Sequence, residues 1–149
     1  MDKATVAKIL EEISLLLELA GENPFKSRAY SQAARTIATL DEDLRQLVET
    51  DTLKKVKGIG TALDQKIKEL VQTGKLLYYE ELKASIPEGL FQLLRIPGLG
   101  PKKVKTLYDT LQISSIAELE YACKENRLIE LKGFGIKTAE TVYAARRKC

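Results

Sequence analysis

The sequence predicts an all-α protein, and three observations carry that prediction. Apolar residues recur at helical spacing along most of the 149 residues, the period of a helix with one buried face. No stretch alternates apolar and polar residues consistently enough for a strand. Three Gly-apolar-Gly triplets, Gly58-Ile59-Gly60, Gly98-Leu99-Gly100 and Gly133-Phe134-Gly135, each fall between two helix-like runs.

Val6, Ile9, Ile13, Leu16 and Leu17 place a first helix over about residues 3–20, ended by Gly21. Asn23-Pro24 suits the N-cap and first turn of a second helix. That helix is expected to reach about Leu40, with Ala29, Ala33, Ile37 and Leu40 on one face. Asp41 is expected to cap a short third helix containing Leu44, Leu47 and Val48. Residues 53–56 and 61–73 flank the first glycine turn, which Gly74 closes, and a further helix covers about 75–84. The chain is expected to divide at Ser85-Ile86-Pro87. Residues 1–84 then hold the first glycine turn (about 53–73), and residues 85–149 the second and third (about 90–110 and 127–147). Pro87 and Pro101 suit helix starts. Ser115 and Glu118 have capping-box spacing for a helix through Lys124, and Asn126 ends it. A short helix then leads into the third glycine turn, and a last helix follows.

Charge is unevenly placed. Residues 1–54 carry 7 Lys/Arg and 10 Asp/Glu, a net of −3, whereas residues 55–149 carry 17 and 11, a net of +6. The basic part coincides with the glycine turns, which points to an anionic partner. There is no histidine, and the two cysteines are Cys123 and Cys149. That inventory argues against a disulfide framework, a structural zinc site and a histidine-based nucleophilic triad. The first helix carries Glu11, Glu12 and Glu18 among its apolar residues, so it does not read as a signal peptide. No run is apolar enough to span a bilayer. The expected location is the cytoplasm, at the nucleoid.

A turn built on two glycines between helices leaves backbone N–H groups at a helix N-terminus, a geometry that binds phosphate. A dinucleotide-binding loop needs a third glycine and a preceding strand, and all three copies lack both. Simple connectors between packed helices explain one copy well and three poorly. The three share more than glycine: nine residues after the first glycine stand Ile67, Leu107 and Val142. The pattern resembles the helix–hairpin–helix motif, which implies sequence-independent binding of the DNA backbone. The matching DNA-binding positions are Gly58, Gly60 and Thr61, then Gly98, Gly100, Lys102, Lys103 and Lys105, then Gly133, Gly135 and Lys137. Asp64 departs from the motif, standing where the third copy has Ala139. An acid at that position is expected either to weaken phosphate binding or to face solvent. The resemblance also implies a Na⁺ or K⁺ ion on hairpin carbonyls, here those of Lys54, Val56 and Ile59 and of Leu94, Ile96 and Leu99.

Two further stretches narrow the resemblance. Residues 23–34, Asn-Pro-Phe-Lys-Ser-Arg-Ala-Tyr-Ser-Gln-Ala-Ala, precede the first hairpin, and residues 58–76 continue it. With the middle hairpin they resemble the N-terminal region of the family X DNA polymerases, the group that includes DNA polymerase β. The third hairpin fits the bacterial and archaeal branch. The resemblance implies a helical bundle of the polymerase β N-terminal type with tandem helix–hairpin–helix motifs. It further implies binding of gapped or nicked DNA bearing a 5′-phosphate, for gap-filling and base excision repair, by a monomer.

In some members the first subdomain also removes 5′-deoxyribose phosphate through a lysine Schiff base. The matching lysine is Lys66, with Lys26 and Tyr30 as supporting residues and Lys54 and Lys75 at basic positions. Lys66 lies about 60° from Leu63 around its helix, at the edge of the expected stripe Leu63, Ile67 and Leu70, and Lys68 is expected to point well away from that stripe. Desolvation and nearby cations favour the neutral amine that attack on an aldehyde requires. Lys26 and Tyr30 sit four apart on one helix face, where the lysine is expected to hold phosphate and the tyrosine to position or shuttle a proton. Ala62 and Tyr78 stand where the polymerase β type has lysines, and Phe25 where it has a stacking histidine. Nucleotidyl transfer needs clustered carboxylates holding Mg²⁺, and in these polymerases they follow the third hairpin. The present sequence alone is therefore expected not to polymerise, either as part of a longer polymerase or as a stand-alone DNA-binding or scaffold protein.

Overall fold

The structure, a computed structural model, describes residues 1–125. The third glycine turn, with Gly133, Gly135 and Lys137, and the helix expected after it lie outside the described residues. Eight α-helices and one 3₁₀ turn make up the regular elements described: α1 (Lys3–Leu19), α2 (Pro24–Ala38), α3 (Leu44–Glu49), the 3₁₀ turn Leu53–Lys55, α4 (Thr61–Thr73), α5 (Leu77–Ala84), α6 (Glu88–Leu94), α7 (Pro101–Leu111) and α8 (Ile116–Lys124). Among the described residues there is no strand, and the fold class is all-α. The chain divides into two compact units, Met1–Ser85 and a second beginning at Ile86.

In the first unit α1 and α2 form an antiparallel pair. Asp2 caps α1 through the Thr5 N–H, and Gly21 follows it at φ +75°. Asn23 caps α2 through the Phe25 N–H, with Pro24 in the first turn. Val6, Leu10, Ile13 and Leu17 pack against Tyr30, Ala33, Ala34 and Ile37, and every one of them is buried. The buried Ser14 hydroxyl donates to the Ser27 carbonyl at 2.8 Å, tying the pair at its polar point. Leu44 and Val48 of α3, and Leu63, Ile67 and Leu70 of α4, complete the core.

Four local expectations are corrected. Ala29 is exposed and Leu40 half-buried, because α2 turns Tyr30 and Ala34 inward instead, and the helix stops at Ala38. Asp43, not Asp41, caps α3 by accepting from the Arg45 N–H. α5 starts at Leu77, two residues late, because the Glu69 carboxylate accepts its first N–H and sets the start. Ser115 accepts the Glu118 N–H as a cap, but Glu118 reaches Ser114 rather than returning to Ser115, so the capping box is half-formed.

In the second unit Leu90 and Leu93 of α6, Val104 and Leu107 of α7, and Leu119 and Ala122 of α8 are buried. Among the described residues no helix is long and apolar enough to cross a membrane.

Candidate nucleic-acid interface

The two described hairpins are built alike, residue for residue. Leu53 and Leu93 are fully buried and anchor the incoming turn. The Val56 and Ile96 amides donate back to their carbonyls at 3.0 and 3.1 Å. The next turn is closed by Ile59 N–H to Val56 O and by Leu99 N–H to Ile96 O, both 3.1 Å. Gly58 and Gly98 sit between, at φ +95° and +86°, a region that costs any other residue strain. Ile59 and Leu99 are buried and pin the loop to the core, while the glycines on either side stay at the surface.

Gly60 and Gly100 then serve as N-caps of α4 and α7, at φ −86° and −85° with extended ψ. Any residue adopts that backbone, so conformation does not explain these glycines. Packing within the protein does not explain them either: a Cβ at either position would meet nothing within 4 Å. The missing side chain leaves open room over the helix start. Neither helix has a side-chain cap, whereas α1, α2, α3 and α8 receive one from Asp2, Asn23, Asp43 and Ser115. The starts of α4 and α7, at the positive end of each helix dipole, thus carry no side-chain cap. Thr61 and Pro101 are the first helical residues.

Two of the carbonyls expected to hold a monovalent cation lie within the hairpin turns. Val56 O and Ile96 O each accept one turn N–H, which leaves a carbonyl its second lone pair. Peptide oxygens of this kind replace the hydration shell of Na⁺ or K⁺.

The cationic surroundings of the hairpins differ. Lys102 is exposed beside the α7 N-terminus, and Lys105 is bound to Asp109 one turn on, at 2.5 Å. Lys54 and Lys75 are exposed near the first hairpin. There Asp64 does not face solvent. It is 2% exposed in the first turn of α4, at the position that Val104 fills in α7. Lys68 reaches its Oδ2 at 3.1 Å and also bonds Asp51, and Asp64 Oδ1 is buried with no partner among the described residues. Lys68 therefore does not point away as expected; it folds back to offset a buried charge. Its ammonium in turn holds the Asp51 carboxyl below the usual carboxylate range.

A second cluster lies on α2, α4 and α5. Lys66 is half-buried, and its Nζ stands 4.8 Å from the centre of the Tyr78 ring. Lys26 is exposed, with its Nζ 5.8 Å from the same centre. Tyr30 is buried and stacks on Tyr78, ring centres 6.1 Å apart and planes 14° from parallel, within the offset-stacked range. Burial, then the neighbouring Tyr78, push the Tyr30 phenol far above its ordinary range. Near neutral pH its hydroxyl is a proton donor, not a base. Lys26, Tyr30 and Lys66 are thus brought together, and the residue that joins them, Tyr78, carried no sequence signal beyond its place in the family pattern. Phe25 is 74% exposed with the Arg28 guanidinium 4.9 Å over its ring, leaving an aromatic face at the surface.

Comparison with known proteins agrees with this geometry. Residues 1–76 match the model of the helix–hairpin–helix domain, and residues 91–148 match that of the SAM-like helix–hairpin–helix tandem. The chain is 39% identical over 145 residues to the DNA polymerase/3′-5′ exonuclease PolX of Bacillus subtilis (strain 168). That alignment takes in 97% of this chain and 25% of the relative, in its N-terminal part. The chain so spans about a quarter of the length of the curated relative it matches. With one domain model covering more than half its residues, and two glycine hairpins built as that motif requires, this chain belongs to the helix–hairpin–helix domain family and is similar, over nearly all of its length, to the N-terminal part of that polymerase.

Proposed function

We propose that this chain is the DNA-gripping region of a repair polymerase of family X, holding the backbone of gapped or nicked duplex for gap filling. The observation that carries the reading is the repeated uncapped helix start with open space over its glycine, at Gly60 and Gly100. Backbone N–H groups at such a start contact phosphates without reading bases. The region between about 53 and 73 grips one part of the substrate, and that between about 90 and 110 another. With about four phosphates engaged, log affinity falls with log salt at a slope of about −3 to −4. Monovalent cations on the carbonyls named above would add positive charge beside the same phosphates. The protein acts as a monomer at the nucleoid. A gel-shift series tests the reading. Gapped duplex with a 5′-phosphate is expected to bind more tightly than intact duplex, and equal binding defeats the gap-sensing part.

A second reading is favoured by the half-buried Lys66 beside Tyr78, Tyr30 and Lys26. Here Lys66 Nζ adds to the C1′ aldehyde of a 5′-deoxyribose phosphate and water leaves, giving a protonated imine. Water then takes a C2′ proton, the C3′–O bond breaks, and a 5′-phosphorylated DNA end leaves. Hydrolysis of the imine regenerates the lysine. Tyr30, as a donor, orients the leaving groups, and Lys26 holds the phosphate. Borohydride trapping on an incised abasic substrate is expected to yield a covalent adduct that Lys66→Ala abolishes. An adduct that survives the substitution removes Lys66 from the role.

A further inference from the structure

We propose that Tyr78 is a positioning residue, whose ring gathers the ammonium groups of Lys66 and Lys26 so that both meet one anionic end of a DNA strand. The inference rests on the reading of the first unit as a grip for 5′-phosphorylated DNA.

Three separate elements supply the cluster. Lys26 and Tyr30 come from α2, Lys66 from α4 and Tyr78 from α5. Two like charges do not gather by themselves. Each stands within 6 Å of one ring centre, at 4.8 and 5.8 Å, the range in which the ring quadrupole attracts a cation. The ring is itself fixed. It is half-buried, packed against the core of the unit and stacked on the buried Tyr30.

The kind of anchor matters as much as its place. Lys68 and Lys105 are held by carboxylates, Asp64 and Asp51 for one and Asp109 for the other, so their charge is offset where it stands. Among the described residues no carboxylate is within ion-pairing distance of Lys66 or Lys26. An uncharged ring fixes an ammonium without cancelling it. The pair therefore keeps its full charge for an incoming phosphate. A lysine at position 78 would add a third positive charge but could not gather the other two.

Two substitutions in the full chain test this: Tyr78→Phe, which keeps the ring, and Tyr78→Leu, which keeps apolar bulk alone. The first readout is the NMR shift of the Lys66 ε-methylene protons, which lie upfield when held over a ring face. The second is the ratio of affinities for gapped duplex ending in a 5′-phosphate and in a 5′-hydroxyl. Tyr78→Phe is expected to keep both. Tyr78→Leu is expected to lose the upfield shift and to lower the phosphate preference about fivefold, the scale of one such contact. Unchanged far-UV circular dichroism and intact-duplex binding identify variants that remain folded. A Leu variant that keeps both the shift and the preference overturns the proposal. So does a Phe variant as impaired as Leu, since the hydroxyl would then be the agent. If the unsubstituted protein shows no 5′-phosphate preference, the DNA reading of this cluster fails, and the Lys66 shift alone decides whether Tyr78 positions it.

Discussion

The first and second hairpins share a backbone and differ in charge. Gly58 and Gly98 have φ within 10° of each other, the turn hydrogen bonds match, and Ile59 and Leu99 are equally buried. Yet the first turn of α4 buries Asp64, whereas that of α7 buries Val104 and carries Lys102 and Lys103. The glycines and the apolar residue between them set the shape, and the residues of the following helical turn set the charge beside it. The first hairpin has the N–H of Thr61 at its helix start, beside a carboxylate already matched by Lys68; the second, with Pro101 there, has one N–H fewer and the exposed Lys102 beside it.

Several substitutions break or sharpen this comparison. The largest effect is expected where the two glycines of one hairpin are separated. Gly98→Val forces a branched side chain to φ +86° and should lower stability by about 1–3 kcal/mol, with loss of DNA binding. Gly100→Val has open space and should leave the urea midpoint in place while still abolishing binding by that hairpin. Equal destabilisation by both would show that shape and ligand access are not separable. Next, Asp64→Val makes the first hairpin imitate the second. The substitution breaks the pair with Lys68, but Lys68 keeps Asp51 and the unpartnered buried Oδ1 goes with the carboxylate, so the two effects oppose and folding should tighten only slightly. Removing an anion from a helix start should also strengthen DNA binding by about threefold at low salt. Tighter folding with weaker binding would mean that Asp64 serves the ligand instead.

Smaller effects concern the lysines. Lys102→Ala should make the salt slope shallower by about 0.9, one phosphate contact. Lys105→Ala should change it less, because Asp109 already offsets that charge. The smallest effect is expected at alkaline pH in the first unit. Burial raises the Tyr30 phenol, and burial together with Glu12 raises that of Tyr79. The unfolded chain releases these protons near pH 10 while the folded one retains them. Stability is thus fully present below about pH 10 and falls as pH rises further. Thermal melts of Tyr30→Phe and the unsubstituted protein from pH 8 to 11 should diverge only at the upper end.

The glycine turns were legible because the positive φ at Gly58 and Gly98 favours glycine and because the paired glycines recur at matching places between apolar runs. The caps at Asn23 and Ser115 were readable because local chemistry decides them. Asp43 was missed because Asp41, Glu42 and Asp43 stand in a row, and the register of Leu44 and Val48 against the core chooses among them. The inner face of α2 was misread because alanines at 29 and 33 mimic a stripe, while Tyr30 fills the space that Ala29 cannot. Asp64 and Tyr78 were out of reach for a deeper reason. The burial of Asp64 depends on Lys68 and on Asp51, outside its own helix. Tyr78 joins Tyr30 across 48 residues of chain (78 − 30). Pair interactions of that kind leave no periodic trace in a single sequence.

One glycine outside the hairpin turns has a mechanical consequence. Gly89 lies in α6, and a Cβ built there would stand 1.7 Å from the Ser114 carbonyl oxygen, backbone against backbone. The arm that feeds the second hairpin thus rests bare on the link into α8, 25 positions downstream (114 − 89), with no room for one methyl group. A wedge fitted this closely has no slack, so α6 cannot shift toward that link unless the backbone at Ser114 gives way with it.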